Sequence, residues 1–184
     1  KTNFFIIKLM KTLPKIDNSW SLFLDRDGVI NKKIEGGYVK SIEEFEIFPN
    51  VLKSLAYFSK IFYKIIVVTN QQGIGKQLMS ENDLHKIHQH LVKEVESNGG
   101  RIDAIYFAPQ LASENSLMRK PNLGMACVAK EQFPNIEFQK SIMVGDSHSD
   151  MVFADRAQMF GIFIGKSASH FSIDSLNDLR TLLK

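Results

Sequence analysis

The chain has 184 residues, with 23 Lys and Arg against 20 Asp and Glu and a formal net charge of +3. That length suits one domain with a full-sized core, and 44% hydrophobic with 23% charged residues is an ordinary globular composition. The weak charge excludes a strongly basic nucleic-acid binder, no apolar run approaches a membrane span, and the single cysteine, Cys127, excludes an intrachain disulfide and fits a reducing compartment.

Residues 1–20 read as an N-terminal extension, and residues 21–184 as a single domain. The apolar stretch Phe4 to Ile7 is cut off by Lys8, too short for the core of a signal peptide. Ser21 to Asp25 is expected to be a strand, and Val51 to Phe62 a helix opened by Pro49-Asn50. Lys64 to Thr69, KIIVVT, is β-branched and apolar on both faces, as a central parallel strand should be. Ser80-x-x-Asp83 is a capping signal for a polar helix that runs to about Ser97 and stops at Asn98-Gly99-Gly100. A strand over Asp103 to Ala108, a helix over Asn122 to Phe133 and a strand over Ser141 to Gly145 follow. Then come a helix over Ser149 to Gln158, a strand over Gly161 to Ile164 and a closing helix over Ile173 to Leu183. This alternation predicts an α/β fold, an open and mostly parallel Rossmann-like sheet with helices on both faces. Cys127 is expected to pack inside its helix. His85, His88 and His90 read as a solvated face, since no carboxylate or thiolate joins them at metal-ligand spacing.

Ligands bind beyond the carboxyl ends of the strands in such sheets, at the point where strand order reverses. Four polar clusters follow expected strands or loops: Asp25-Arg26-Asp27, then Thr69-Asn70-Gln71-Gln72-Gly73, then Arg119-Lys120-Pro121 before a helix, then Gly145-Asp146-Ser147-His148-Ser149-Asp150, and folding should bring them together. One rim would then carry carboxylates, a hydroxyl, an amide and a lysine. Crowded carboxylates suit Mg²⁺, a cation and a lysine together suit a phosphoryl group, and an Asp is a competent nucleophile toward it. A plain turn at Asp25-Arg26-Asp27, a cap at Thr69 or Asp146 and a solvated Arg119-Lys120 pair are the bland alternatives.

The strings DRDGVIN, TNQQGIG, RKPNLGM and VGDSHSDM, in this order, resemble the haloacid dehalogenase superfamily. Within it they look like the branch of heptose 1,7-bisphosphate and histidinol-phosphate phosphatases. The resemblance covers Leu22 to Gly165 and implies a haloacid dehalogenase-like fold with no separate cap domain. It implies Asp25 as nucleophile, Asp27 as general acid and base, and Mg²⁺ held by Asp25, Asp146 and the backbone carbonyl of Asp27. Thr69 and Asn70 would contact phosphoryl oxygens, and Lys120 would neutralise them. Gln71, Arg119, Gly37 and Tyr38 would face the rest of the substrate. Asp150 would orient Lys120 or water, and His148 sits inside the motif at the surface or at the substrate.

The branch often carries a structural zinc, but the corresponding positions here are Ala108, Gln110, Ser116 and Met118. None of these is a zinc ligand, so no zinc is expected. Ser147 stands where a lysine is common, which removes one cationic contact. The reading is a cytoplasmic Mg²⁺-dependent phosphomonoesterase, a monomer or weak dimer, acting on a small sugar phosphate and on neither nucleic acid nor membrane. Histidinol phosphate is the alternative substrate. A phospho-accepting domain or a non-catalytic binding domain is the alternative of another class, and Asp27, placed to hydrolyse the intermediate, argues against it.

Overall fold

The computed structural model describes residues 12–184, so the reading of Phe4 to Ile7 lies outside the described residues. The apolar runs form β1 (Ser21–Leu24), β2 (Lys64–Asn70), β3 (Ala104–Ala108), β4 (Ser141–Gly145), β5 (Phe160–Ile164) and β6 (Phe171–Ile173). Between and after them lie α1 (Val51–Ile61), α2 (Glu81–Ser97), α3 (Gly124–Gln132), α4 (His148–Ala157) and α5 (Leu176–Leu182). The strands make one parallel sheet in the order β3-β2-β1-β4-β5-β6. Strand order reverses between β1 and β4, whose carboxyl ends Leu24 and Val144 are register partners. That is the crevice where this architecture binds ligands.

Side chains alternate across the sheet because successive Cβ atoms of a strand point to opposite faces. Leu22 and Leu24 of β1 pack with α1, α2 and α5 through Leu55, Phe58, Leu84, Ile87, Leu91, Leu176 and Leu179. Phe23, between them, points to the other face and meets Met125, Ala126 and Ala129 of α3 and Phe153 and Ala154 of α4. Both faces are thus covered, which explains why the middles of β1, β2 and β4 are unbroken apolar runs, Leu22 to Leu24, Ile65 to Val68 and Ile142 to Val144. Leu13, Ile16 and Trp20 pack against the first of these clusters, so the chain already joins the core before β1.

Side-chain caps start α2 and α4. Ser80 accepts from Asp83 N at 3.1 Å, and the Asp83 carboxylate accepts from Ser80 N at 3.1 Å, the reciprocal arrangement of a capping box. Ser147 and Asp150 make the same box at α4, so the cap there is Ser147 and not Asp146. Three expectations need correction. Ile173 belongs to a sixth strand, not to the last helix, which starts at Leu176. β6 is three residues among serines, too short to show a period. Asp103 lies just outside β3 and instead accepts from Ile65 N at 2.8 Å. Cys127 is exposed, because α3 buries Met125, Ala126 and Ala129 and turns the next residue outward.

Candidate active site

Asp25 extends β1 by one more sheet hydrogen bond, its N–H donating to Val144 O at 2.9 Å. The carboxylate therefore stands at the switch point, and only 8% of the residue is exposed. Lys120, buried, reaches it from the loop before α3. Its Nζ lies 2.7 Å from Asp25 Oδ1, 2.6 Å from Asp150 Oδ1 and 2.7 Å from Val68 O. Asp150 thus does two jobs: one oxygen caps α4 through Ser147 and the other holds Lys120. Burial alone would lower the Lys120 ammonium, but Asp150 and Asp25 overcome it and raise it, so the lysine stays charged. Burial pushes the Asp25 carboxyl up to about 7, against the opposing pull of Lys120.

The two acids of DRDG have opposite surroundings. Arg26 between them is fully buried and donates from Nη2 to both Asp27 oxygens at 2.9 Å. Asn31 Nδ2 donates to Asp27 Oδ1 at 2.9 Å and Gln71 Nε2 to Oδ2 at 2.8 Å. Burial would raise Asp27, but the Arg26 charge and these hydrogen bonds hold it below the usual carboxylate range. The Asp27 side chain is turned toward Arg26.

Carboxylate oxygens of Asp25, Asp146 and Asp150 lie within 4.8 Å of one another, a donor set that fits a hard divalent cation. Gly28 makes this possible in two ways. Its φ is +92°, and a Cβ there would sit 2.1 Å from Asp146 Oδ2. Lys33, from the loop after β1, contacts the same Asp146 oxygen at 2.5 Å. It brings a cation to the rim close to Ser147, where the sequence suggested one was missing.

The structure gives two of the expected substrate contacts different partners. Both ends of the Asn70 amide are engaged by the Lys120 backbone, Nδ2 donating to its O and Oδ1 accepting from its N, each at 3.0 Å. Asn70 therefore sets the position of Lys120. Gln71 is buried and bridges Asp27 to Thr69, donating to Thr69 Oγ1 at 2.9 Å as well. Thr69 itself is buried at the end of β2. Tyr38, Arg119 and Gly37 remain on the rim. Tyr38 OH accepts from Gln72 Nε2 at 2.8 Å, and Lys76 Nζ lies 5.2 Å from its ring centroid. Arg119 is half-buried and donates to Gln110 O at 3.3 Å. Gly37 is exposed in the loop of Ile34 to Tyr38. His148 is exposed at the first turn of α4.

The histidine cluster is not a uniform solvated face. His85 is exposed, but His88 is 7% exposed and its Nε2 lies 3.2 Å from Arg26 Nη1. The signal was in the spacing: Leu84, Ile87, His88, Leu91 and Val95 form one buried stripe of α2, and His88 occupies a core position of it. Arg26, Asn31, Lys33 and His88 were all missed from the sequence: the Lys33–Asp146 and Arg26–His88 contacts join distant positions, and Asn31 meets Asp27 only through the fold of the loop between them.

The profile of the family described as polynucleotide kinase 3 phosphatase matches residues 22–172. A protein of Mycobacterium bovis named D-glycero-alpha-D-manno-heptose-1,7-bisphosphate 7-phosphatase is 41% identical over 137 residues, 74% of this chain and 72% of that one. A protein of the same name from Campylobacter jejuni is 40% identical over 131 residues, 71% of this chain and 73% of its own. The crystal structure of D,D-heptose 1,7-bisphosphate phosphatase from B. bronchiseptica, complexed with magnesium and phosphate, superposes with a TM-score of 0.82 at 24% identity. It covers 89% of this chain and 97% of that one.

Proposed function

Because this chain belongs to the polynucleotide kinase 3 phosphatase family of haloacid dehalogenase-type phosphoric monoester hydrolases, we propose that it removes the 7-phosphate of D-glycero-D-manno-heptose 1,7-bisphosphate. The observation that carries the chemistry is Lys120 Nζ set between Asp25 and Asp150 at the sheet's switch point. The substrate is supported by the shared name of the two relatives at 40–41% identity.

In this reading an Asp25 oxygen attacks the phosphorus, the bond to the sugar oxygen breaks, and Asp27 gives that oxygen its proton. A primary alkoxide is a poor leaving group, so the proton is needed. Water then attacks the phosphorus of the aspartyl-phosphate, Asp27 takes a proton from it, and inorganic phosphate leaves with Asp25 regenerated. Lys120 and the Thr69 hydroxyl stabilise the transferred phosphoryl oxygens. Mg²⁺ held by Asp25, Asp146 and the Asp27 backbone carbonyl would neutralise the phosphoryl charge. Arg119 binds the remaining 1-phosphate as a planar fork donor. A reducing, cytoplasmic setting belongs to the same reading.

The test is kcat/KM for heptose 1,7-bisphosphate, histidinol phosphate and a 3′-phosphorylated oligonucleotide, measured side by side, with Arg119→Ala as the variant. The bisphosphate should give the highest value, and Arg119→Ala should raise its KM by about tenfold or more, the worth of one charged hydrogen bond. A higher value for either rival, or an equal Arg119→Ala effect on all three, overturns the substrate.

A further inference from the structure

We infer that Arg26 and His88 form a positioning brace beneath the catalytic loop, which holds Asp27 in the orientation from which it serves the leaving group. The inference rests on the reading of Asp27 as general acid and adds two residues that touch no substrate.

Arg26 is among the largest fully buried side chains of the protein. A buried guanidinium must have every edge satisfied, or the desolvation penalty stands uncompensated. Nη2 contacts both oxygens of Asp27, and Nε donates to Oδ1 at 3.3 Å. This side-on fork fixes both the position and the plane of the carboxylate. The opposite edge, Nη1, is met by His88 Nε2 at 3.2 Å, from a residue 62 positions further along the chain. Arginine has no lone pair to offer, so His88 must accept with Nε2 and carry its proton on Nδ1. Burial first, then the Arg26 charge, push the His88 imidazole down to about 3, which keeps Nε2 an acceptor at neutral pH. Phe45 lies over the guanidinium at 5.7 Å, and Phe107 meets the His88 ring edge-on at 6.1 Å. The guanidinium therefore has protein on every side that the carboxylate does not occupy.

His88 thus ties the orientation of Asp27 to α2, a 17-residue helix anchored in the core. Without the imidazole, Nη1 is left buried without an acceptor. Arg26 then turns to find one, and Asp27 loses its fixed plane. The loss should fall on leaving-group protonation, since Asp25 and Lys120 are held by other partners.

The experiment compares His88→Leu, His88→Gln and Asp27→Asn in the full chain, on a primary phosphate ester and on p-nitrophenyl phosphate. The ester is heptose 1,7-bisphosphate or histidinol phosphate, whichever the enzyme turns over. The aryl alcohol leaves without protonation, so its kcat/KM, which covers only the steps up to release of the alcohol, reports attack alone. His88→Leu should lower kcat/KM for the alkyl ester by about 10- to 100-fold, a part of the roughly 10²–10⁴-fold that general acid catalysis contributes, and for the aryl ester by less than about 3-fold. His88→Gln, whose amide oxygen can accept from Arg26, should restore most of the alkyl rate. If His88→Leu does not fold, His88→Asn, polar but too short to reach Arg26, takes its place. Equal losses on both esters, or no loss, while Asp27→Asn remains selective, overturn the brace and leave the role of Asp27 standing. An Asp27→Asn variant without leaving-group selectivity overturns both.

Discussion

Burying a neutral histidine makes stability depend on pH, and the sign is fixed by the direction of its shift. His88 is 7% exposed, with its pKa pushed from 6.5 down to about 3. Between those values the unfolded chain binds a proton at this site and the native chain does not. The stabilisation is therefore full above pH 6.5 and is lost as pH falls toward 3, at about 1.4 kcal/mol per unit. From pH 8 to pH 5 the loss from His88 alone comes to about 2 kcal/mol, or ~4–8 °C in Tm for a chain of this size. Glutamine does not titrate. His88→Gln should thus lose less stability than the parent over this range, whatever its own cost at pH 8. Equilibrium urea unfolding of both proteins at half-unit intervals gives the difference curve, from which carboxylates common to both cancel. Parallel curves, within about 0.5 kcal/mol from pH 8 to 5, would show that His88 titrates as a free imidazole. The contact with Arg26 would then be no part of the folded protein in solution.

Two further substitutions test the site from other directions. Lys120→Ala leaves Asp25 and Asp150 buried without their shared cation, so it should cost about 3–5 kcal/mol in equilibrium unfolding as well as turnover; unchanged stability would contradict the buried ion triad. Gly28→Ala forces a side chain into φ +92° and against Asp146, at about 1–3 kcal/mol of strain. By calorimetry it should also weaken Mg²⁺ binding about tenfold or more, as when groups that orient a metal ligand are disturbed, and unaltered binding would refute the packing of Gly28 on Asp146.

What the sequence revealed and what it hid divide along a physical line. β1, β2 and β4 are buried on both faces, so their apolar runs stood out, and the polar residue after each run marked a strand end. Asp25, Thr69 and Asp146 were legible for that reason. Lys120 was legible as a rim lysine, but its contact with Asp25, 95 positions away, was not, because no periodicity places a loop residue. β6 was invisible, since three residues cannot display a period of two. Arg26 was given no role of its own, since nothing in the sequence pairs it with His88, 62 positions away. His88 was misread by residue type: its position on the buried stripe of α2 said core, while its imidazole said solvent.

The contrast between Asp25 and Asp27 ties these observations together. Two carboxylates two residues apart would titrate alike in water, yet one is pushed up to about 7 and the other is held below the usual range. Pairs separated in this way mark a division of labour in active sites. Asp25 is short of positive charge: burial raises it, and Lys120, shared with Asp150, returns only part of what burial takes. On the proposed reading, a divalent cation held by the Asp25, Asp146 and Asp150 cluster would supply the remainder and favour the Asp25 anion that attack requires. Asp27 has the opposite surplus, with a guanidinium and two amides on one carboxylate. These partners favour its ionised form, the form that the proposed second step requires. To donate a proton in the first step it needs additional negative charge nearby, and the incoming phosphoryl group is the source of that charge. On the proposed reading, protonation of Asp27 would thus be coupled to the arrival of substrate, which would limit an acid at this loop to the moments when there is an alkoxide for it to protonate.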